Sequence, residues 1–289
     1  MRAVDLYNII DTDFKVDQIG AEEWNIDSVK EHVSKSFLKR NEGIMYDNAQ
    51  EIQKVYTMTF PETNKIDQII NNGEQNVLIF SHHAQSWISE ERNGEPLITM
   101  ENLSLETLKK MNEQNISLYS IHIPLDNYND ISTGKCFAEA LNMQIEKGCC
   151  LYLKALTGVI GKVQEKNVTD FQKRIENVIG HKSKIYAYGS DEIQNSNVGI
   201  VTGWGLDLEV LEEMHEAGIN TFLTGFTRKL PLNKNIMSAH QFADKNKINL
   251  IGATHYSSEK FACIAMVEYF KRLGIKSEFI EGNYSVYDL

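Results

Sequence analysis

Short runs of Val, Ile, Leu and Phe recur along this chain, and three of them end on histidine. Residues 76–80 (NVLIF) run into Ser81-His82-His83, residues 116–123 (ISLYSIHI) carry His122 near their end, and residues 248–253 (INLIGA) run into Thr254-His255. An apolar run this short, with no polar alternation, reads as a strand buried on both faces. Further strands are expected in CCLYLKAL, GVIGKV, KIYAYG and NVGIVTG and over residues 220–223. Between them lie segments of helical period. Asp27 is placed to cap a helix carrying Val29, Val33 and Phe37, and Ser104 one carrying Leu105, Leu108 and Met111. Other helices are expected over residues 134–143, from a Thr169 cap to Gly180, over residues 206–217 before Gly218, and from a Ser257 or Ser258 cap to Gly274. Strands alternating with helices place the chain in the α/β class. The breaks divide it into a lobe built from both termini, residues 1–130 plus 235–289, and a middle lobe, residues 131–234.

Charge narrows the range of partners. The chain has 29 Lys and Arg against 40 Asp and Glu, a net charge of −11. So acidic a chain is not expected to bind nucleic acid or an anionic membrane through its bulk field. No apolar run approaches the ~20 residues of a membrane span, and the start, MRAVDLYNII, lacks the pattern of a secretory signal. Cys136, Cys149, Cys150 and Cys263 form no CxxC pair, so reduced thiols and a cytoplasmic location are expected.

The polar residues that follow the strands carry the chemistry. In open α/β sheets, ligands bind beyond the carboxyl ends of strands. There the sequence supplies His82-His83, His122 with Asp126 four residues on, and His255 with Glu259 four residues on. Each has an ordinary explanation when taken alone. Adjacent histidines within a strand point to opposite faces. A single histidine more often hydrogen-bonds inside a core, and Glu259 in a first helical turn is favoured by the helix dipole. Pro124 excludes a helix between His122 and Asp126, so those two are not expected to stack one turn apart. Taken together, the imidazoles and carboxylates suit Zn, Fe, Mn or Ni rather than Ca. They are numerous enough for two ions, which sit about 3.5–4 Å apart when a carboxylate bridges them.

The blocks FSHHAQSW, SLYSIHIPLDNY, IVTGWGLDLEVLEEMHEAGINTFLTG and IGATHYSSEKFACIAMVEYF, in that order, resemble the Nif-three-like family of dinuclear-metal-centre hexameric proteins, whose members carry GTP cyclohydrolase I type 2-like names. The resemblance implies two similar, intertwined three-layer α/β/α lobes and a homohexameric ring. It implies five metal ligands for two divalent ions: His82, His83, Asp126, His255 and Glu259. Glu259 would bridge, His83 and Asp126 would complete one ion, and His82 and His255 the other. Glu259 and His122 are the catalytic candidates, His122 through proton transfer. The implied activity is metal-dependent hydrolysis of a nucleotide or related small molecule, for GTP by attack at C8 of the guanine ring with loss of formate. The alternative is a non-catalytic metal-binding scaffold or partner-binding ring. Thr202, Gly203 and Gly205 match a Gly-rich strand–helix turn, for which tight packing is the simpler reason. Phe226 stands where the pattern has an acidic residue.

Overall fold

In the computed structural model, which describes residues 1–289, the apolar runs become the parallel centres of two mixed sheets. The chain opens with α1 (Ala3–Asp13), α2 (Lys35–Arg40), β1 (Gly43–Tyr46), β2 (Lys54–Met58), α3 (Thr63–Asn71) and β3 (Val77–Ser81). It continues with β4 (Ser86–Arg92), β5 (Glu95–Glu101), α4 (Leu105–Glu113), β6 (Ile116–Ser120), α5 (Ile123–Asp126) and α6 (Thr133–Ala140). Next come β7 (Gln144–Tyr152), β8 (Ala155–Lys162), α7 (Val168–Ile179), β9 (Lys184–Tyr186), β10 (Asn197–Val201) and α8 (Leu208–Glu216). The last elements are β11 (Thr221–Thr224), α9 (Lys234–Asn246), β12 (Asn249–Gly252), α10 (His255–Arg272) and β13 (Lys276–Phe279).

The first sheet has the order β1-β6-β3-β2-β13 and the second β7-β8-β10-β11-β12-β9, with β4-β5 as a separate hairpin. In the first, β6, β3, β2 and β13 run parallel, and Met58, Ser81 and Ser120 end level with one another. In the second, β10, β11 and β12 run parallel, and Val201, Thr224 and Gly252 end level. Successive residues face opposite cores, as strand geometry requires. Leu78 and Phe80 pack with Leu6 and Ile10 of α1 and with Met266 and Phe270 of α10, while Val77 and Ile79 pack with Ile66 of α3 and Leu108 of α4. The second sheet repeats the scheme. Val198 and Ile200 pack with Phe171 of α7, and Phe222 and Leu250 pack with Leu211 of α8 and Ala239 of α9. The runs lack alternation because both faces are dry.

Several boundaries differ from the sequence reading. β12 pairs between β11 and β9, so the return to the first sheet follows Gly252 rather than falling near residue 235. The helix expected from Asp27 is a loop and a short 3-10 turn, and α2 instead starts at Ser34, whose hydroxyl accepts the Phe37 amide. Asn167 rather than Thr169 caps α7. Ser104 caps α4 as expected. β1, β2, α3, β4, β5, α9 and β13 went unread. Most of these are short or half-exposed and lack a strong period of their own.

Candidate metal centre

The histidines follow strands whose carboxyl ends are level, and this brings them together. His82 and His83 extend the pairing of β3, their amides donating to Met58 O (3.2 Å) and Thr59 O (3.0 Å). Their rings nevertheless lie on one side, with centroids 4.5 Å apart at 73°. His82 Nδ1 lies 3.1 Å from the Ile121 carbonyl, which can only accept. That contact puts the ring proton on Nδ1 and leaves the Nε2 lone pair facing the cavity.

Asp126 arrives by a route that the sequence reading excluded. α5 is a single helical turn with Pro124 in its first positions, where no amide is missed. Its leading amides go to a distant acceptor: buried Glu42 takes the His122 amide at 2.7 Å and that of Ile123 at 3.3 Å. Burial pushes the Glu42 carboxyl up to about 8, against the pull of His122. His122 and Asp126 therefore do stand one turn apart, Nε2 to Oδ2 3.9 Å. Thr202 donates to Thr133 (2.9 Å), and Thr133 donates to Asp126 Oδ1 (2.5 Å), which orients the carboxylate.

The third contribution comes from the start of α10. Its cap is Thr254, three residues before the first of the expected serines, and its hydroxyl accepts the Ser257 amide. Thr254 sits at φ 66°, ψ 149°, an unfavourable region for a β-branched residue. The His255 amide donates to Asp288 Oδ2 (2.9 Å), and Trp87 Nε1 donates to Asp288 Oδ1 (3.0 Å). Asp288→Ala leaves both donors in a buried place without their acceptor. It should lower stability by about 1–3 kcal/mol, read as a lower urea midpoint with unchanged m. A midpoint identical to wild type would show that this contact holds nothing.

All these groups converge on Glu259, which is 2% exposed. His83 Nε2 lies 2.9 Å from Oε2, and His255 Nε2 and His82 Nε2 lie 3.2 and 3.6 Å from Oε1. His82 Nε2 is also 3.5 Å from Asp126 Oδ1. Two groups of donors result, His83 with His255 and Glu259, and His82 with Asp126 and Glu259, each with ligand atoms within 4.8 Å of one another. Glu259 belongs to both.

The electrostatics fit a cation. His82 Nε2, which faces Asp126 and Glu259, is buried without a hydrogen-bond partner, a rare condition for polar atoms. Burial opposes the charge on Glu259, yet His255, His83 and His82 hold its carboxyl well below the usual range. Burial raises Asp126 despite His82 and His122. Burial likewise opposes protonation of His82, but Asp126 and Glu259 keep its pKa above the ordinary value, whereas burial dominates at His83 and lowers it. Protons shared in this way are what a divalent ion displaces on binding. His122 is held up at about 10: burial opposes its charge, but Glu22, 3.3 Å from Nδ1, together with Asp126 and Glu42 outweighs it. The nitrogen and carboxylate donors suit the borderline transition ions, so buried His and Glu groups here could bind metal.

A family model described as DUF34/NIF3 (NGG1p interacting factor 3) matches residues 32–284. The chain belongs to the DUF34/NIF3 family. Among curated relatives, the GTP cyclohydrolase 1 type 2 homolog of Buchnera aphidicola subsp. Schizaphis graminum is 27% identical over 184 residues, 63% of this chain and 68% of that one. The homolog of the same name from Borreliella burgdorferi is 26% identical over 202 residues, 70% and 73% of the two chains. The solved structure of protein ybgI superposes with a TM-score of 0.75 at 17% identity, covering 99% of this chain and 100% of that one, which supports the fold alone.

The sequence reading missed Glu22 and Glu42, which hold His122, and Thr133 and Asp288, which hold the candidate ligands Asp126 and His255. None adjoins its partner in sequence, so no local spacing marks it. Gly203 does act through packing, as expected: a Cβ there would lie 2.1 Å from Glu259 Oε1. Of the remaining histidines, buried His240 accepts from the Tyr188 hydroxyl and donates to the Thr227 carbonyl. All four cysteines are free and buried. No helix is long and apolar enough to cross a membrane.

Proposed function

We infer that this protein holds two divalent transition ions in one buried centre and hydrolyses a small nucleobase-containing molecule there. The observation that carries the reading is the position of Glu259, one oxygen toward His83 and the other toward His82 and His255. Glu259 would be shared between the ions, with His82, His83, Asp126 and His255 completing their ligand sets. Such ions, when bound, lower the pKa of water and polarise an acceptor oxygen. The chain's own groups do the rest. The Thr202–Thr133 relay keeps Asp126 aimed, and the Ile121 carbonyl at Nδ1 turns His82 Nε2 toward the carboxylates. His122, between Glu22 and Asp126 at the cavity wall, is placed to pass a proton to a leaving group. The relatives' names make GTP the first substrate to try, with ring opening at C8 and release of formate.

The test is protein loaded with Mn, Fe or Zn and offered a panel of nucleotides, nucleosides and free bases, with formate release and base loss as readouts. Turnover in wild type that disappears in Glu259→Gln supports hydrolysis. Equal background in both, with metal bound, sinks the catalytic reading and leaves a metal-binding scaffold. Self-association in a ring of six belongs to the same reading. It is supported by the β7–β8 hairpin, where Leu151 is 74% exposed beside half-exposed Tyr152, Leu153 and Leu156, apolar surface that a second copy would cover. Light scattering that returns the mass of one chain would remove it.

A further inference from the structure

A cavity of about 1080 Å³ opens over the candidate metal centre, with His83, His255 and Glu259 in its floor. All three tryptophans of the chain, Trp24, Trp87 and Trp204, line it. Two are oriented by their indole N–H groups, Trp24 donating to the Asn41 carbonyl (2.9 Å) and Trp87 to Asp288 (3.0 Å). Trp24 lies 5.3 Å from the His122 ring, and Trp87 lies 4.4 Å from the His255 ring on the other flank. Trp204 stacks on Phe226 at 4.2 Å and 16°, with Trp87 edge-on at 5.6 Å. Phe226, the departure noted in the sequence, is thus the backing of an aromatic wall.

The charge around this cavity is mostly negative, with His122 the exception. Its lining contains seven carboxylates and neither Lys nor Arg. Two of the seven, Asp126 and Glu259, would be offset by bound ions and Glu22 faces His122 at 3.3 Å, but Glu23, Asp207, Glu209 and Glu213 remain. The amino end of α8, which borders the cavity, is no anion site. Asp207 already caps it, accepting the Glu209 amide at 2.9 Å, and Glu209 lies in its first turn. A triphosphate extending from the ions would meet carboxylates in a confined space, where like charges repel strongly.

We propose that this cavity selects a flat, phosphate-free heteroaromatic ring, a nucleobase or nucleoside that is neutral or cationic, stacked on the tryptophan faces, and rejects the corresponding triphosphate. Aromatic stacking tolerates many rings because each presents a π-face, and the carboxylates accept from exocyclic amines. The substrate class rests on the hydrolytic metal-centre reading above; ring binding itself does not.

The experiment is tryptophan fluorescence titration of the metal-loaded full chain with guanosine, adenosine and cytidine, each against its triphosphate, with metal content measured on the same samples. At least one nucleoside should quench and bind roughly tenfold or more tightly than its triphosphate, and added salt should narrow the gap. Trp204→Leu should weaken nucleoside binding about tenfold, the scale of one lost stacking contact, with metal content unchanged, and Trp204→Phe should restore most of it. Triphosphates binding as tightly as nucleosides, no quenching by any ring, or an unaffected Trp204→Leu would each overturn the proposal. A protein that binds rings but no metal would instead sink the metal-centre reading alone.

Discussion

Glu259→Gln should remove metal from both positions at once. The substitution preserves shape but deletes the charge shared by the two groups of imidazoles, and a Gln amide presents an N–H₂ donor where one oxygen was. Of the five candidate ligands, only Glu259 belongs to both groups. Changing an outer partner of a metal ligand costs about 10–100-fold in affinity, so losing the shared ligand should exceed the upper end of that range for each ion. Metal per chain after dialysis, measured by mass spectrometry, reads this directly. Thermal unfolding reads it independently. An ion present at about 100 times its Kd stabilises the folded state by about 2.7 kcal/mol, so a chelator should lower the Tm of wild type and leave that of Glu259→Gln unmoved. Wild-type metal content in the variant would end the two-ion reading.

Gly203→Ala should disable the same centre without touching a ligand. Gly203 follows β10 at φ +60, and a Cβ there would stand 2.1 Å from Glu259 Oε1 and 2.9 Å from His255 Nε2. Neither neighbour can easily retreat, because both are buried on the first turns of α10 and His255 is tied to Asp288. The methyl must displace the carboxylate or shift the turn, at about 1–3 kcal/mol in stability and a metal affinity reduced by at least about tenfold. Gly180→Ala is the control. It has φ +83 with nothing within 4 Å of the added methyl, so the backbone preference of about 1 kcal/mol is all that is lost. Gly203→Ala with wild-type metal binding would show that the turn accommodates a methyl and does not support the centre.

The sequence was most legible where a local pattern has a single physical cause. NVLIF is continuous because both faces of β3 are buried, and it ends at His82 because the strand ends where the cavity begins. Legibility failed where a distant group overrides a local rule. Pro124 argued against a helix, yet a proline in a first turn loses no hydrogen bond, and Glu42, 80 residues from His122, takes the free amide. The serines at 257 and 258 are plausible caps, but Thr254 takes that role from a backbone conformation that a β-branched residue adopts only under tertiary constraint.

The α/β class, the ends of the ligand-bearing strands, the donor types and the net acidity were determined by the sequence alone, because each follows from residue type and spacing along the chain. Which imidazole shares a carboxylate oxygen with which, the gathering of three scattered tryptophans over one cavity, and the closure of His255 by Asp288 were decided only in three dimensions. Those relations depend on the register of strands in two sheets and on how the sheets meet across α6 and α10, and no local pattern encodes the distance between residues that belong to different elements.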